Sequence, residues 1–391
     1  MRHIKDLAVS NKRVLMRVDF NVPLDANGAI TDDTRILGVL PTVKHLISQG
    51  AKIVLCSHCG RPKGQRQEKF SLAPTAKRLA ELLGQPVVMA PDCVGAESMA
   101  LAEALKPGDV MLLENLRFHA EEQKNDAAFA KSLAAFGDCY VNDAFAVSHR
   151  ADASVEGVTH YFTDKAAGFL LYNEIDFFHR AVTNPARPLT AILGGAKVSS
   201  KLSAIRNMLD RVNSMIIGGA MANTFLRAQG HEIGASLVEE DLLNTAQELL
   251  ALAKNKGVAI HLPVDFVVAE SFSAEAKSKT VALGQVPSDW MILDIGPASV
   301  SAFTEALTAS KTIVWNGPMG AFEMAPFAQG SLAMVTAVTS SKALSIVGGG
   351  DTNALINQAK AGDKVSYMST GGGAFLELME GKELPGVTAL G

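Results

Sequence analysis

Cysteine is scarce in this 391-residue chain: Cys56, Cys59, Cys93 and Cys139 are the only four, all in the first half. They are too few and too clustered for a disulfide framework, and a reducing cytoplasm is the simplest setting. Long apolar runs are missing too; none reaches the roughly 18 residues that a membrane-spanning helix needs. The opening residues, Met1-Arg2-His3-Ile4-Lys5-Asp6, hold no apolar h-region, so no secretory leader is expected. There is no excess of positive charge: the formal net charge is −4, which argues against a non-specific nucleic-acid binder. No Gly-x-x-x-x-Gly-Lys-[Ser/Thr] occurs, which excludes an ordinary P-loop protein. No Gly-x-Gly-x-x-Gly occurs either, so a dinucleotide site has no support. Cys56-Ser57-His58-Cys59 has one CxxC spacing but no second pair at zinc-site distance, and no metal is expected there.

Arginine vanishes along the chain. Ten of 14 arginines precede residue 181 and none follows Arg227, whereas 11 glycines precede residue 181 and 22 follow it. Arginine forks suit small carboxylates and phosphates. Glycine turns let backbone N–H groups approach a polyphosphate. Either composition drifts, or the two halves serve different ligands.

The length suits two domains, and 48% hydrophobic residues give each a core. Short β-rich runs alternate with helical patterns: Arg13–Phe20, Lys52–Ser57, Pro86–Ala90, Val110–Glu114 and Cys139–Asp143 in the first half. The second half has Leu189–Leu193, Ser214–Ile217, Val258–Leu262, Met291–Asp294, Thr312–Trp315, Leu344–Val347 and Val365–Ser369. Many are continuous apolar runs, as in parallel strands covered on both faces. The expected fold is α/β: two doubly wound domains, each a mainly parallel sheet flanked by helices, with ligands beyond the strands' carboxyl ends. Phe169–Val182 reads as an amphipathic helix joining the domains, broken by Asn184-Pro185-Ala186-Arg187-Pro188.

Chemistry-bearing residues cluster after strands. Arg17, Arg35, Arg61, Arg117 and Arg150 recur at or beyond strand ends in the first half. Singly each is a surface charge; together in one crevice they need an anionic ligand. In the second half Gly194-Gly195-Ala196-Lys197, Gly218-Gly219, Asn316-Gly317, Gly348-Gly349-Gly350-Asp351-Thr352 and Gly371-Gly372-Gly373 each precede a helix pattern. Their N–H groups and helix dipoles would face an anion. Tight strand–helix turns also use glycine, but five such turns with two lysines and an aspartate carry more. Asp351 suits Mg²⁺, which takes few protein carboxylates and shares phosphate oxygens. Asp294 reads as a hinge or cap residue.

Taken together, Val14–Pro23, Ser57–Pro62, Gly194–Lys201, Trp315–Glu323, Gly348–Thr352 and Ser369–Ala374, in that order, resemble the phosphoglycerate kinase family over nearly the whole chain. The resemblance implies a 3-phosphoglycerate site on an N-terminal domain (residues 1–168) formed by Asp19, Phe20, Asn21, Arg35, His58, Cys59, Gly60, Arg61, Arg117 and Arg150. After the joining helix (169–183) it implies a nucleotide domain (184–375) with Gly194, Gly195, Lys201, Gly219, Asn316, Glu323, Gly349, Gly350, Asp351 and Thr352 at the nucleotide. Residues 376–391 would return to the N-terminal domain. Arg35, Lys197 and the amides of Gly371, Gly372 and Gly373 would serve the transferring phosphoryl group, and Asp351 the Mg²⁺. The implied partners are 3-phosphoglycerate, 1,3-bisphosphoglycerate, ATP and ADP, with no nucleic acid and no membrane. The implied protein is a cytoplasmic, hinge-bending monomer. A catalytically silent binder, or a kinase for another small carboxylate, is the rival, but Arg35, Lys197 and Asp351 are all present. Three positions depart from the commonest family pattern. Ala220 would touch the fit around adenine; Asp152 and Ile292 look peripheral.

Overall fold

The computed structural model describes residues 1–391. The chain divides into two compact units, Met1–Ile175 with Glu383–Gly391, and Asp176–Lys382. The first is built on β1 (Arg13–Arg17), β2 (Lys52–Cys56), β3 (Val87–Met89), β4 (Val110–Leu112), β5 (Cys139–Asn142) and β6 (Lys165–Ala167). These form one sheet, ordered β3-β4-β2-β1-β5-β6, with every pairing parallel. Val14, Met16, Ile53, Leu55 and Val141 are buried in its core, which explains why the strands read as unbroken apolar runs.

The second unit has β7 (Leu189–Leu193), β8 (Ser214–Ile217), β9 (Ala259–His261), β10 (Asp265–Ala269), β11 (Ser278–Ala282), β12 (Met291–Ile295), β13 (Thr312–Asn316), β14 (Leu344–Val347) and β15 (Tyr367–Met368). Six of them form a parallel sheet, β15-β14-β13-β7-β8-β9. Ile192, Ile216, Ile313 and Trp315 are buried in its core. The other three make a separate antiparallel sheet, β11-β10-β12. The Met291–Asp294 run therefore belongs to this small sheet, whose own core includes Phe266, Val268 and Ile292.

The sequence reading missed β6, β10 and β11. Both faces of β11 are largely exposed, so its residues Ser278–Ala282 carry no apolar signal. The joining helix is α-helical over Phe169–Phe178 and continues as a π-type turn, His179–Thr183. The C-terminal residues dock within the first unit: Gly386 N donates to Ser148 O at 2.9 Å, and Asn142 Nδ2 donates to Gly386 O at 3.1 Å.

Candidate functional site

The carboxyl edge of the first sheet gathers cations. β1 ends at Arg17, and the following turn brings Asp19 to the Arg35 guanidinium, which it accepts through Oδ2. Asp19 Oδ1 accepts from Asn21 N at 3.2 Å. β2 runs out into His58, which is only 3% exposed. Burial, followed by the charges of Arg17, Arg117, Arg150 and Arg35, holds this imidazole well below its ordinary pKa, so it is neutral.

The next peptide is held from both sides. Gly60 N donates to Asn21 Oδ1 at 2.8 Å, and Gly60 O accepts from Arg117 Nη1 at 3.0 Å. Gly60 has φ +61, and a Cβ there would overlap the Phe70 ring, so this turn requires glycine. Asn115 secures the same loop, accepting from Cys59 N at 3.1 Å and donating to Cys59 O at 2.7 Å. Phe20 N donates to Ser57 Oγ at 2.8 Å, tying the exit of β1 to that of β2.

Arg117 carries the strongest signal. It is 5% exposed, yet its Nε and Nη2 are buried with no hydrogen-bond partner. Burial and then Arg150 pull its pKa down. A buried guanidinium with two unused donors is strongly unfavourable unless an anion completes it. Asp152 is buried nearby, one of its oxygens is unpartnered, and its charge acts on Arg117. It is therefore not peripheral. Arg61, by contrast, is exposed and makes no hydrogen bond or ion pair. Elsewhere in this unit Asp92, Cys93 and His119 place one ligand-type atom each within 4.8 Å of one another. His119 Nε2 and Asp92 Oδ1 share a 2.7 Å hydrogen bond, so these two groups already satisfy each other.

In the second unit, three strand ends meet through glycine. A Cβ on Gly194 would overlap Pro318 O, and one on Gly219 would lie 2.6 Å from Gly195 N. Lys201 reaches beneath these loops. Its Nζ donates to Asn316 O at 2.9 Å and to Asn316 Oδ1. Burial lowers this ammonium to about 8, with Asp351 pulling the other way. Asn316 Nδ2 donates to Gly348 O at 2.8 Å, and Gly317 N donates to Thr352 Oγ1 at 2.7 Å.

Gly349, with φ +105, opens the helix Gly350–Gln358, whose first turn carries Asp351. The helix Gly372–Met379 starts beside it: a Cβ on Gly372 would lie 3.6 Å from Gly349 Cα and from Gly350 N. Two helix N-termini side by side offer free N–H groups to one anion.

A cavity of about 560 Å³ adjoins these loops, with Gly195, Gly219, Ala220, Ile292, Glu323 and Asp351 among its walls. Ile292 is therefore a wall residue too, and the expectation that it is peripheral is corrected. Lys197 and Glu323 are exposed. Asp294 is a cap: its Oδ2 accepts from Gly330 N at 2.7 Å in the first turn of the helix Gln329–Ser340, and burial pushes its carboxyl to about 7.

Arg17, one of the five strand-end arginines, was not among the residues implied for the substrate, and two further buried polar residues of the first site were absent from every expectation. Glu122 lies in the polar stretch Glu121-Glu122-Gln123-Lys124, which reads as solvated, yet it is fully buried. Ser154 had no signal in the sequence.

Comparison with known proteins gives one consistent result. The family model described as Phosphoglycerate kinase matches residues 4–382. The chain is 58% identical to a phosphoglycerate kinase of Desulfotalea psychrophila, covering 100% of both chains. It is 56% identical to one from Geobacter sp., covering 100% of this chain and 98% of the relative. Among solved structures, phosphoglycerate kinase from Coxiella burnetii superposes with a TM-score of 0.92 at 43% identity, covering 99% of this chain and 98% of that one. The enzyme from Pyrococcus horikoshii gives 0.84 at 35% identity, covering 100% and 98%.

Proposed function

The chain belongs to the phosphoglycerate kinase family, and on that premise we propose how its residues perform the family's reaction, 1,3-bisphosphoglycerate + ADP ⇌ 3-phosphoglycerate + ATP. It is a glycolytic phosphotransferase with a carboxyl group as acceptor. We assign 3-phosphoglycerate to the first unit and the nucleotide to the second. The observation that carries the first assignment is Arg117, whose buried Nε and Nη2 lack partners near Arg150 and Arg17.

The chemistry needs no general base. In the ATP-consuming direction the nucleophile is a carboxylate, ionised at neutral pH because its pKa lies near 4. What remains is positioning and charge stabilisation of an in-line transfer. Arg117 and Arg150 neutralise the substrate's anionic groups, joined by the exposed Arg61. His58 and Asn21 hydrogen-bond it, and Asp19 orients Arg35. On the nucleotide, Lys201 and the loops at Gly194, Gly195, Gly219, Gly349 and Gly350 take the phosphates, and Glu323 takes the ribose hydroxyls. Asn316 and Thr352 fix those loops through the bonds described above. We place Arg35, Lys197 and the amides of Gly371, Gly372 and Gly373 on the moving phosphoryl group.

The donor set fits magnesium. Asp351 offers one carboxylate beside N–H groups suited to phosphate, and Mg²⁺ takes one or two carboxylates plus phosphate oxygens and water. When bound, the ion would neutralise nucleotide phosphate charge. A coupled assay tests the function: ADP should form only when 3-phosphoglycerate, ATP and Mg²⁺ are all present. Turnover with other small carboxylates but not 3-phosphoglycerate would defeat the reading.

A further inference from the structure

Arginine has five N–H donors and no acceptor. That fact orders the protons along a buried chain in the first unit. Arg17 is wholly buried. Its Nε donates to Ser154 Oγ at 2.8 Å, its Nη1 donates to Val18 O, and its Nη2 lies 3.3 Å from His58 Nδ1. Ser154 Oγ must accept from Arg17, so its own proton is free to go elsewhere. It goes to Glu122 Oε1, at 2.5 Å. Ser154 N donates to Glu122 Oε2 at 2.9 Å. Both oxygens of Glu122 are thus acceptors, the pattern of an ionised carboxylate. A buried carboxylate and a buried guanidinium joined through one hydroxyl balance each other's charge.

The other end of the chain is equally constrained. The guanidinium can only donate to His58 Nδ1, so Nδ1 must carry a lone pair. A proton there would face an N–H of Arg17. Asp19 Oδ1 does not compete: it is 3.8 Å from Nδ1 and already accepts from Asn21 N. The ring proton therefore sits on Nε2, which has no hydrogen-bond partner in the protein.

We infer that Glu122 and Ser154 are positioning residues that act through Arg17 to lock His58 as its neutral Nε2–H tautomer, making it a hydrogen-bond donor to an anionic substrate oxygen. The role toward substrate rests on the assignment of His58 to the 3-phosphoglycerate site; the tautomer does not. The groups facing this chain agree with it. Arg35, Arg117 and Arg150 add positive charge around His58 and oppose a second ring proton. Cys56 and Tyr140, which face Arg17 and Glu122, stay neutral, the thiol pushed up to about 12 and the phenol well above its usual range by burial. Burial, with Asp152 adding to it, raises the Glu122 carboxyl above its ordinary value, while Arg17 and Ser154 act the other way. The ionised form is assigned from the hydrogen bonds, both of which its oxygens accept. Such a donor keeps its hydrogen bond across the neutral pH range, where an ordinary histidine would gain a charge.

Nitrogen-15 spectra of histidine-labelled, ligand-free enzyme test this. His58 should show an unprotonated Nδ1 and a protonated Nε2, unchanged between about pH 6 and pH 8. Ser154→Ala should leave Arg17 loose, mix the tautomers, and raise KM for 3-phosphoglycerate about tenfold with kcat nearly kept. Ser154→Thr, which retains the hydroxyl, should restore the wild-type spectrum. The wild-type spectrum needs no variant to fold. A protonated Nδ1 there, or Ser154→Ala with an unchanged tautomer, overturns the inference. If the tautomer is as stated but 3-phosphoglycerate leaves the Nε2 signal unmoved, the lock stands and the substrate assignment of His58 falls.

Discussion

Nucleotide binding should take up a proton at mildly alkaline pH, and the group responsible is Lys201. Its ammonium is lowered from 10.5 to about 8, chiefly by burial, with Asp351 opposing. Its two acceptors, both on Asn316, are neutral. Phosphate oxygens arriving over these loops add negative charge and restore the ammonium toward its ordinary value. The uptake is the difference in charged fraction between bound and free enzyme. It is about 0.1 proton at pH 7, about 0.5 at pH 8 and about 0.9 at pH 9.

The linkage sign follows from those values. The complex binds more protons than the free enzyme, so nucleotide affinity should weaken as pH rises above about 8, by at most about tenfold per pH unit. In the ligand-free protein the same depressed pKa means that folding favours the neutral amine, so this group's contribution to stability rises from about pH 8 toward 10.5. Titration calorimetry of Mg·ADP in two buffers of different ionisation enthalpy reads the uptake directly. Lys201→Arg, charged throughout the range, should abolish it. A buffer-independent enthalpy at about pH 8.5 with the wild-type protein would refute the argument.

Other outcomes follow from the same geometry. Arg35→Ala should lower kcat by about 3–4 kcal/mol in barrier, the worth of one preorganised donor, and near-normal kcat with only a raised KM would remove Arg35 from the transferring group. Asp351→Ala should weaken Mg·ADP binding in calorimetry while 3-phosphoglycerate binding to the full chain stays unchanged; a matching loss in both would undo the division of ligands. Gly60→Ala forces a side chain into the Phe70 ring at φ +61 and should destabilise the protein by about 1–3 kcal/mol in urea unfolding, with weaker 3-phosphoglycerate binding. Asp143 is buried, its carboxyl raised to about 7, with Oδ1 accepting from Leu171 N and Oδ2 unpartnered. A raised carboxyl pKa means stability is lost as pH climbs from about 4 through about 7. Asp143→Asn keeps the acceptor and should flatten that part of the stability–pH profile; an unaltered profile would contradict it.

The parallel sheets were legible because both of their faces are covered. Runs such as Leu189–Leu193 and Leu344–Val347 are apolar but for one buried hydroxyl residue each, Thr190 and Ser345, and coincide with β7 and β14. The antiparallel sheet was legible only in β12, as Met291–Asp294: β11 is mostly solvated and carries no apolar signal, and the apolar run Phe266–Ala269 of β10 follows β9 too closely to have been separated from it. The sites divide in the same way. His58, Arg117 and the Gly348–Thr352 turn follow strand ends that the pattern locates. Glu122 and Ser154 sit on irregular segments, and their burial depends on where the loops after β4 and β5 fold back, which no local pattern encodes.

The crowding of arginine into the first half of the chain has a physical basis in its site. Four guanidinium groups stand around the buried His58, and Arg117 remains without two of its partners. A cation in such a place is pushed toward its neutral form by burial and by its neighbours. Arginine starts so high that it stays charged, and it keeps its fork for a carboxylate or phosphate. Lysine does not have that margin: Lys201, among neutral acceptors, already falls to about 8 with Asp351 helping to hold its proton. Four lysines packed around His58 would lose charge before any substrate arrived. Arg117→Lys should therefore do more than shorten a side chain. Buried between Gly60 O and Arg150, the new ammonium should titrate below its ordinary value, and 3-phosphoglycerate affinity should fall with rising pH where the wild-type affinity is flat. Calorimetry from about pH 7 to pH 9 separates the cases. A pH-independent loss would mean that geometry alone, and not the permanence of the charge, is why arginine stands there.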